Sequence, residues 1–194
     1  MRGSARYRGA SDEELMEEVR GGSTEAFEAL VRRHSKRAVN LAYRFIGDAA
    51  LAEDIAQEAF LRVWRNRHHY SPSAKFTTFL YRIVANLCIS QHRYNRRHPA
   101  TFINPPPDET TTYFSFPSGL DSPLEKLRQQ ELAAAVREAI KTLPENQRLA
   151  VILLRYEGLS YEEIASVMGT TVAAVKSLLV RARQNLKERL KPYL

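Results

Sequence analysis

The sequence predicts an all-helical protein built as two helical domains joined by a flexible linker. Three observations carry that prediction. Apolar residues recur at three- and four-residue steps through nearly the whole chain, no stretch shows the alternation of a half-buried strand, and the helical pattern fails once, in a segment rich in proline and threonine. A length of 194 residues suits one or two domains, and 44% hydrophobic content is enough for real cores.

The elements follow in order. Ser11 with Glu14 three residues later forms a capping box that starts a short first helix, and Gly21 and Gly22 stop it. A longer helix follows with Phe27, Leu30, Val31, Ala38, Leu41 and Phe45 inward, and Gly47 and Asp48 separate it from a third. The third, about Ala49 to Arg67, buries Ile55, Ala56, Ala59 and Val63; the fourth, about Ala74 to Arg97, buries Phe79, Leu80, Ile83, Val84 and Leu87.

Between His98 and Ser122 stand five prolines, a threonine run and no Lys or Arg, with Asp108, Glu109 and Asp121 as the only charges. This acidic stretch divides the chain into residues 1–98, a linker at 99–121, and residues 122–194. Ser122, Pro123 and Glu125 then offer an N-cap, a proline at the first helical position and a capping glutamate. Leu124, Leu132, Val136 and Ile140 line that helix. Pro144 starts the next, with Leu149, Ile152, Leu153 and Tyr156 inward and Gly158 at its end.

The final two helices are the most specific local signal. In LSYEEIASVMGTTVAAVKSLLVRAR, Ser160 and Glu163 make a second capping box, Ile164, Ala165 and Met168 are apolar, Gly169 ends the helix and Thr171 caps its successor. Val175, Leu179, Ala182 and Leu186 form one stripe of the last helix; Lys176, Ser177, Arg181 and Gln184 lie opposite. This is a helix-turn-helix pattern, whose polar side chains can meet phosphates and base edges in a major groove. A basic amphipathic hairpin with a solvated face satisfies the same local pattern.

Charge supports a polyanionic partner. The net charge is +7, which suits nucleic acid and would also suit an acidic membrane surface. Its distribution is more telling: Ala59 to Pro107 contains eight Lys or Arg and no Asp or Glu, and a second basic run holds Lys176, Arg181, Arg183, Lys187, Arg189 and Lys191 against Glu188 alone. On the fourth helix Arg82, Asn86, Arg93 and Arg97 fall within about 60° of one another, a stripe that can track a phosphate backbone, with Arg96 beside it. Upstream, WRNRHHYSPSAKF interleaves Trp64, Tyr70 and Phe76 with Arg65, Arg67 and Lys75, a pattern that stacks and holds single-stranded bases, although Trp64 and Phe76 read as core. On the third helix Asp54, Gln57, Glu58 and Leu61 share a stripe away from the apolar side, and a leucine among carboxylates suits docking of a basic partner helix as well as a solvated face.

Several classes are disfavoured. The single cysteine, Cys88, forms no internal disulfide, fits a reducing compartment and reads as a packed apolar residue. His68 and His69 lack nearby carboxylates or thiols, so no metal is expected. No apolar run approaches the roughly 20 residues of a membrane span, and MRGSARYRG leads into no apolar signal core, so a cytoplasmic protein is expected. The eight glycines are scattered and no nucleophile or paired-carboxylate constellation can be assigned by spacing, so neither an enzyme nor a cofactor is expected.

Three segments together resemble one family, the bacterial extracytoplasmic-function sigma factors, the two-domain type of the sigma-70 family. AEDIAQEAFLRVW resembles region 2.2, KFTTFLYRIVANLCISQHRYNRR resembles regions 2.3 and 2.4, and LPENQRLAVILLRYEGLSYEEIASVMGTTVAAVKS resembles region 4. The resemblance spans about residues 11 to 190 except the linker. It implies that Asp54, Gln57 and Glu58, with Leu61 on the same stripe, dock on the β′ clamp helices of core RNA polymerase, with the β flap as a second contact. It implies that Arg82, Asn86, Arg93, Arg96, Arg97, Tyr70 and Lys75 melt and read the −10 promoter element. Thr171, Lys176, Ser177, Arg181 and Arg183 then read the −35 element.

By the same resemblance the acidic linker threads toward the polymerase's nucleic-acid channels, and an anti-sigma protein covers the polymerase-binding surfaces. The sequence departs from the family pattern at Leu178 and Val180, where arginine and histidine are common. Two alternatives remain open: a sigma-like decoy that sequesters an anti-sigma factor without reading promoters, and a helix-turn-helix regulator with an unrelated partner domain.

Overall fold

The computed structural model describes Tyr7 and residues 9–71, 75–98 and 123–193, with the side chains of 123–127 and 129 excepted. The linker, with Asp108, Glu109 and Asp121, the Ser122 cap and the Leu124 side chain lie outside the described residues. The chain divides into two compact units, Met1–Pro106 with Ser166–Gly169, and Pro107–Ala165 with Thr170–Leu194. Every described regular element is helical.

The first unit holds α1 (Asp12–Arg20), α2 (Thr24–Ile46), α3 (Ala49–Arg65) and α4 (Phe76–Arg97), with a short 3-10 turn at Arg67–His69. The starts of α1, α2 and α3 are fixed by local chemistry. Ser11 Oγ accepts from the Glu14 amide and Glu14 Oε2 accepts from the Ser11 amide, so the predicted capping box is complete. Ser23 caps α2 and Asp48 caps α3 by the one-way bond alone, their side chains accepting from the Ala26 and Leu51 amides. Gly47 ends α2 at φ 85°, a left-handed conformation that any side chain would strain.

α2 packs against the other three helices, and α3 and α4 pack on each other. Leu15, Met16, Leu30, Leu41, Phe45, Val63 and Leu80 are among the fully buried side chains at the centre. Two inward assignments are only half right: Phe27 and Val31 are half-buried, because they floor an open groove rather than the closed core. On α4 the buried stripe is Leu80, Tyr81, Val84, Ala85 and Cys88, while Phe79, Ile83 and Leu87 are half-buried. The helix is thus rotated by about one residue from the expected register, bringing the Tyr81 ring and the small Ala85 and Cys88 against its neighbours.

α5 (Pro123–Lys141), α6 (Glu145–Arg155), the Tyr161–Ala165 part of α7 (Tyr161–Met168) and α8 (Val172–Leu190) belong to the second unit, which ends in a 3-10 turn at Lys191–Tyr193. α5 and α6 both pack on α8. Leu149, Ile152 and Leu153 of α6 are buried as expected, and Tyr156 is half-buried. Arg148 of α6 reaches back to the carbonyls of Lys141 and Leu143, satisfying acceptors at the end of α5. Along α5, Ile140 is buried and Val136 half-buried, but Leu132 is 40% exposed, contrary to expectation.

The second capping box is also complete, with Ser160 Oγ accepting from the Glu163 amide and Glu163 Oε2 from the Ser160 amide. Gly169 turns the chain at φ 62°, and Thr171 Oγ1 accepts from the Ala174 amide to start α8. The axes of α7 and α8 lie 99° apart, within the range of a DNA-binding helix-turn-helix. Val175 and Ala182 of α8 are fully buried; Leu179 and Leu186 are half-buried along the same stripe.

Candidate polymerase and nucleic-acid interfaces

Because α3 buries Ile55, Ala56, Ala59 and Val63, helical geometry turns Asp54 and Gln57 outward. Leu61 lies on the same side and is 48% exposed, a large apolar side chain left to solvent. Glu58 is half-buried and its Oε1 accepts from Arg62 Nε at 2.7 Å. That bond, reinforced by the charges of Arg62 and Arg65, holds the Glu58 carboxyl below its ordinary range.

Beside the stripe runs an open apolar groove of about 490 Å³ between α2 and α3. Phe27, Val31, Val39 and Phe60 line it, and Gln57 and Leu61 form part of its edge with Glu53. The stripe and the groove are therefore one surface, of which the sequence revealed only the half carried on α3. The missing half was hidden because Phe27 and Val31 read as core.

On α4, Arg82, Asn86, Arg93, Arg96 and Arg97 are all exposed, so the basic stripe exists as a surface. No Asp or Glu occurs along the helix to neutralise it. Lys75 is exposed immediately before the helix. Tyr70 differs from expectation: it is only 4% exposed, with its ring edge-on to Phe79 at 5.4 Å. Burial, together with the negative charge of Glu13 and Asp12, pushes its hydroxyl up to about 12. In this conformation it is a packing residue, and no base can stack on it.

Phe76 is fully buried, as read from the sequence. Trp64 is half-buried, packed 5.1 Å from the Phe27 ring with the Arg67 guanidinium 4.6 Å from its centroid. An aromatic that the sequence reading passed over is instead open: Tyr94 is 51% exposed among the arginines and pairs with His98 at 4.6 Å. The signal was its setting in RYNRR, an aromatic flanked by cations on an exposed helix.

On α8, Lys176, Ser177, Arg181, Arg183 and Gln184 are exposed, and Thr171 serves as the cap. Lys176 lies over the Tyr161 ring at 5.9 Å. The exposed residues fall on two sides. Lys176 and Arg183, with Lys187, border an apolar groove of about 1020 Å³, whose lining includes Val136, Leu154, Tyr161, Leu179 and Leu190. Ser177, Arg181 and Gln184 face away from it by helical geometry. The two departures from the family pattern separate likewise: Leu178 is half-buried, whereas Val180 is 66% exposed at the groove.

Other expected features take plain places. Cys88 is buried and its thiol pushed up to about 12 by burial. His68 and His69 are exposed, and among the described residues no cluster of three or more His, Cys, Asp or Glu is placed to hold a metal. Among the described residues no single helix is long and apolar enough to cross a membrane.

A four-helix unit with an acidic-apolar surface and a basic stripe, joined in one chain to a helix-turn-helix unit, defines a two-part helical DNA-binding protein. Residues 30–98 match the family model Sigma-70 region 2, and residues 133–186 match Sigma-70, region 4. The RNA polymerase sigma-H factor of Pseudomonas aeruginosa is 35% identical over 189 residues, covering 94% of this chain and 95% of the relative. The ECF RNA polymerase sigma-E factor of Escherichia coli K12 is 30% identical over 188 residues, covering 95% and 96%. The chain belongs to the sigma-70 family, as an extracytoplasmic-function sigma factor, and is not an enzyme.

Two solved structures share the fold at 24% identity. CnrH, in complex with the cytosolic domain of CnrY, has a TM-score of 0.68 and covers 93% of this chain and 97% of its own. The sigma factor RpoE of Bartonella quintana, in complex with the anti-sigma factor NepR, has a TM-score of 0.66 and covers 87% and 98%.

Proposed function

We propose that this sigma factor directs core RNA polymerase to bipartite promoters through three separate surfaces. Residues 1–98 form the core-binding and −10 domain, 99–121 the linker and 122–194 the −35 domain. Asp54, Gln57, Glu58 and Leu61, with the adjoining groove between α2 and α3, dock a helix of the polymerase clamp. The carboxylates meet its cations and the groove takes its apolar side chains. Arg82, Arg93, Arg96 and Arg97 hold the backbone of the −10 element, Asn86 supplies a base-edge contact, and Lys75 adds charge where the helix begins. Melting is driven by capture of unpaired non-template bases, with Tyr94 as an available stacking ring.

α8 enters the major groove of the −35 element. Ser177 and Arg181 read bases, while Lys176, Arg183 and the capping end at Thr171 hold phosphates. The apolar groove beside α8 takes the β flap, and the acidic linker threads toward the polymerase's nucleic-acid channels. An anti-sigma protein would silence the factor by covering these protein-binding grooves. The structures of CnrH with the cytosolic domain of CnrY and of RpoE with the anti-sigma factor NepR support such a partner.

The observation that carries the reading is the exposed face of α4, with Arg82, Arg93, Arg96 and Arg97 and no carboxylate, in the chain that also holds the α7–α8 helix-turn-helix. A sigma-like decoy would need neither surface. The test is a pull-down with core polymerase followed by promoter-dependent transcription. Capture that is lost on Asp54→Arg, together with specific transcripts, supports the reading. Failure of the unsubstituted protein to bind core polymerase overturns it in favour of the decoy.

A further inference from the structure

The match to Sigma-70 region 2 begins at residue 30, so α1 lies outside the segment to which that family assigns the domain. Its first turn nevertheless reaches the start of α4. A helix begins with amides that lack intrahelical acceptors; at α4 the Thr78 amide closes back on the Lys75 carbonyl at 3.0 Å, but Lys75 at the N-cap makes no side-chain cap and the first turn holds no acid. The Phe76 amide donates instead to Glu13 Oε1 of α1 at 3.1 Å, across 63 residues of sequence. A carboxylate there also complements the positive end of the helix dipole.

The residue that delivers this cap is itself fixed. Beside Glu13, Asp12 accepts from Arg33 Nη1 at 3.0 Å and bonds His34 Nε2 at 2.7 Å, both on α2. Arg33 further donates to the carbonyls of Ala10 and Tyr7, each at 2.7 Å, which pins the chain leading into α1. His34 is buried, and its ring packs 5.2 Å from that of Phe76, which is fully buried. Phe76 is therefore held by its amide from α1 and by its ring from α2.

We infer that α1 is a positioning element of the −10 reader, with Glu13 supplying the cap that α4 lacks and so fixing where the helix carrying Arg82, Asn86 and Arg93 begins. This rests on the reading of α4 as the −10 surface.

The test compares holoenzymes carrying wild-type factor, Glu13→Gln and Glu13→Ala on fork-junction DNA with an unpaired −10 non-template strand, from a promoter first mapped by its transcript. Glu13→Ala removes the acceptor from a part-buried donor and is expected to weaken fork binding about tenfold, with faster amide exchange at Phe76. Glu13→Gln keeps an acceptor and should stay within about threefold of wild type. Core-polymerase affinity and binding to a duplex bearing only the −35 element should stay within about twofold, since those surfaces lie elsewhere. Unchanged fork binding by Glu13→Ala, or a parallel loss of core, −35 and fork binding, overturns the inference. Failure of the wild-type holoenzyme on the fork overturns the α4 reading itself, and needs no substitution to reveal it.

Discussion

Val180 and Leu178 show how one residue's exposure changes what a sequence departure means. Both replace polar family residues, yet Leu178 is half-buried and Val180 is open at the groove edge. Leu178→Arg should therefore destabilise the second unit by about 1–3 kcal/mol, while Val180→Arg should change stability by less than about 0.5 kcal/mol. Denaturation midpoints of the two variants check this. On the promoter reading, Val180→Arg alters −35 affinity or preference in a gel-shift series.

Titration behaviour is also set residue by residue. Glu14, Glu58 and Glu162 are held below their ordinary range, Glu14 by its bonds to Ser11, Glu58 by Arg62 and Glu162 by local hydrogen bonds. A depressed carboxyl contributes stability that is fully present above the unfolded value near 4.5 and lost as pH falls through the folded value. Tyr70 and Cys88 are raised to about 12 from 10.0 and 9.0, so their contribution is intact below pH 9 and lost as pH rises toward 12. Unfolding midpoints should be flat for these groups between pH 6 and pH 8 and fall on both sides. At pH 8 a thiol alkylating reagent should leave Cys88 unmodified until the protein is unfolded.

At the scale of the element, what could be read from sequence was what is local. Ser11 with Glu14, Ser160 with Glu163 and Thr171 act within three residues of themselves, and each cap is present in the structure. The face that α4 buries was less legible. Apolar residues flank both sides of its true stripe, and packing against α2 and α3 chose Tyr81, Ala85 and Cys88 over Phe79, Ile83 and Leu87. The burial of Tyr70 and the cap from Glu13 depend on residues distant in sequence, beyond the reach of periodicity.

The α4 stripe makes a prediction at this scale. If Arg93 holds a phosphate as proposed, Arg93→Ala should weaken binding alike across promoter sequences and reduce the salt slope by about 1. Asn86→Ala should cost about 1–3 kcal/mol at one base position and relax specificity there. Binding measured over a range of salt and of −10 variants separates the two.

For the whole molecule, the sequence conveyed the all-helical class and the order of two sigma-70 segments, which the family matches place at residues 30–98 and 133–186. Each is a statistical property of a long stretch and needs no knowledge of packing. The grooves were out of reach, since one needs the spacing between α2 and α3 and the other the splay of α5 from α8. They matter because they turn isolated stripes into continuous surfaces with apolar floors, and on the function proposed above an inhibitor that filled both would deny the polymerase its contacts.

On the function proposed above, two DNA-reading surfaces in one chain impose a bipartite promoter on core polymerase. Sequencing the 5′ ends of transcripts made on host genomic DNA, with core polymerase alone and with the factor added, tests it most directly. Start sites should appear only with the factor and share two sequence elements at constant spacing, with base preference relaxed within the upstream element by Arg181→Ala and at one position of the downstream element by Asn86→Ala. Start sites unchanged by the factor, or new ones with a single shared element, would contradict it.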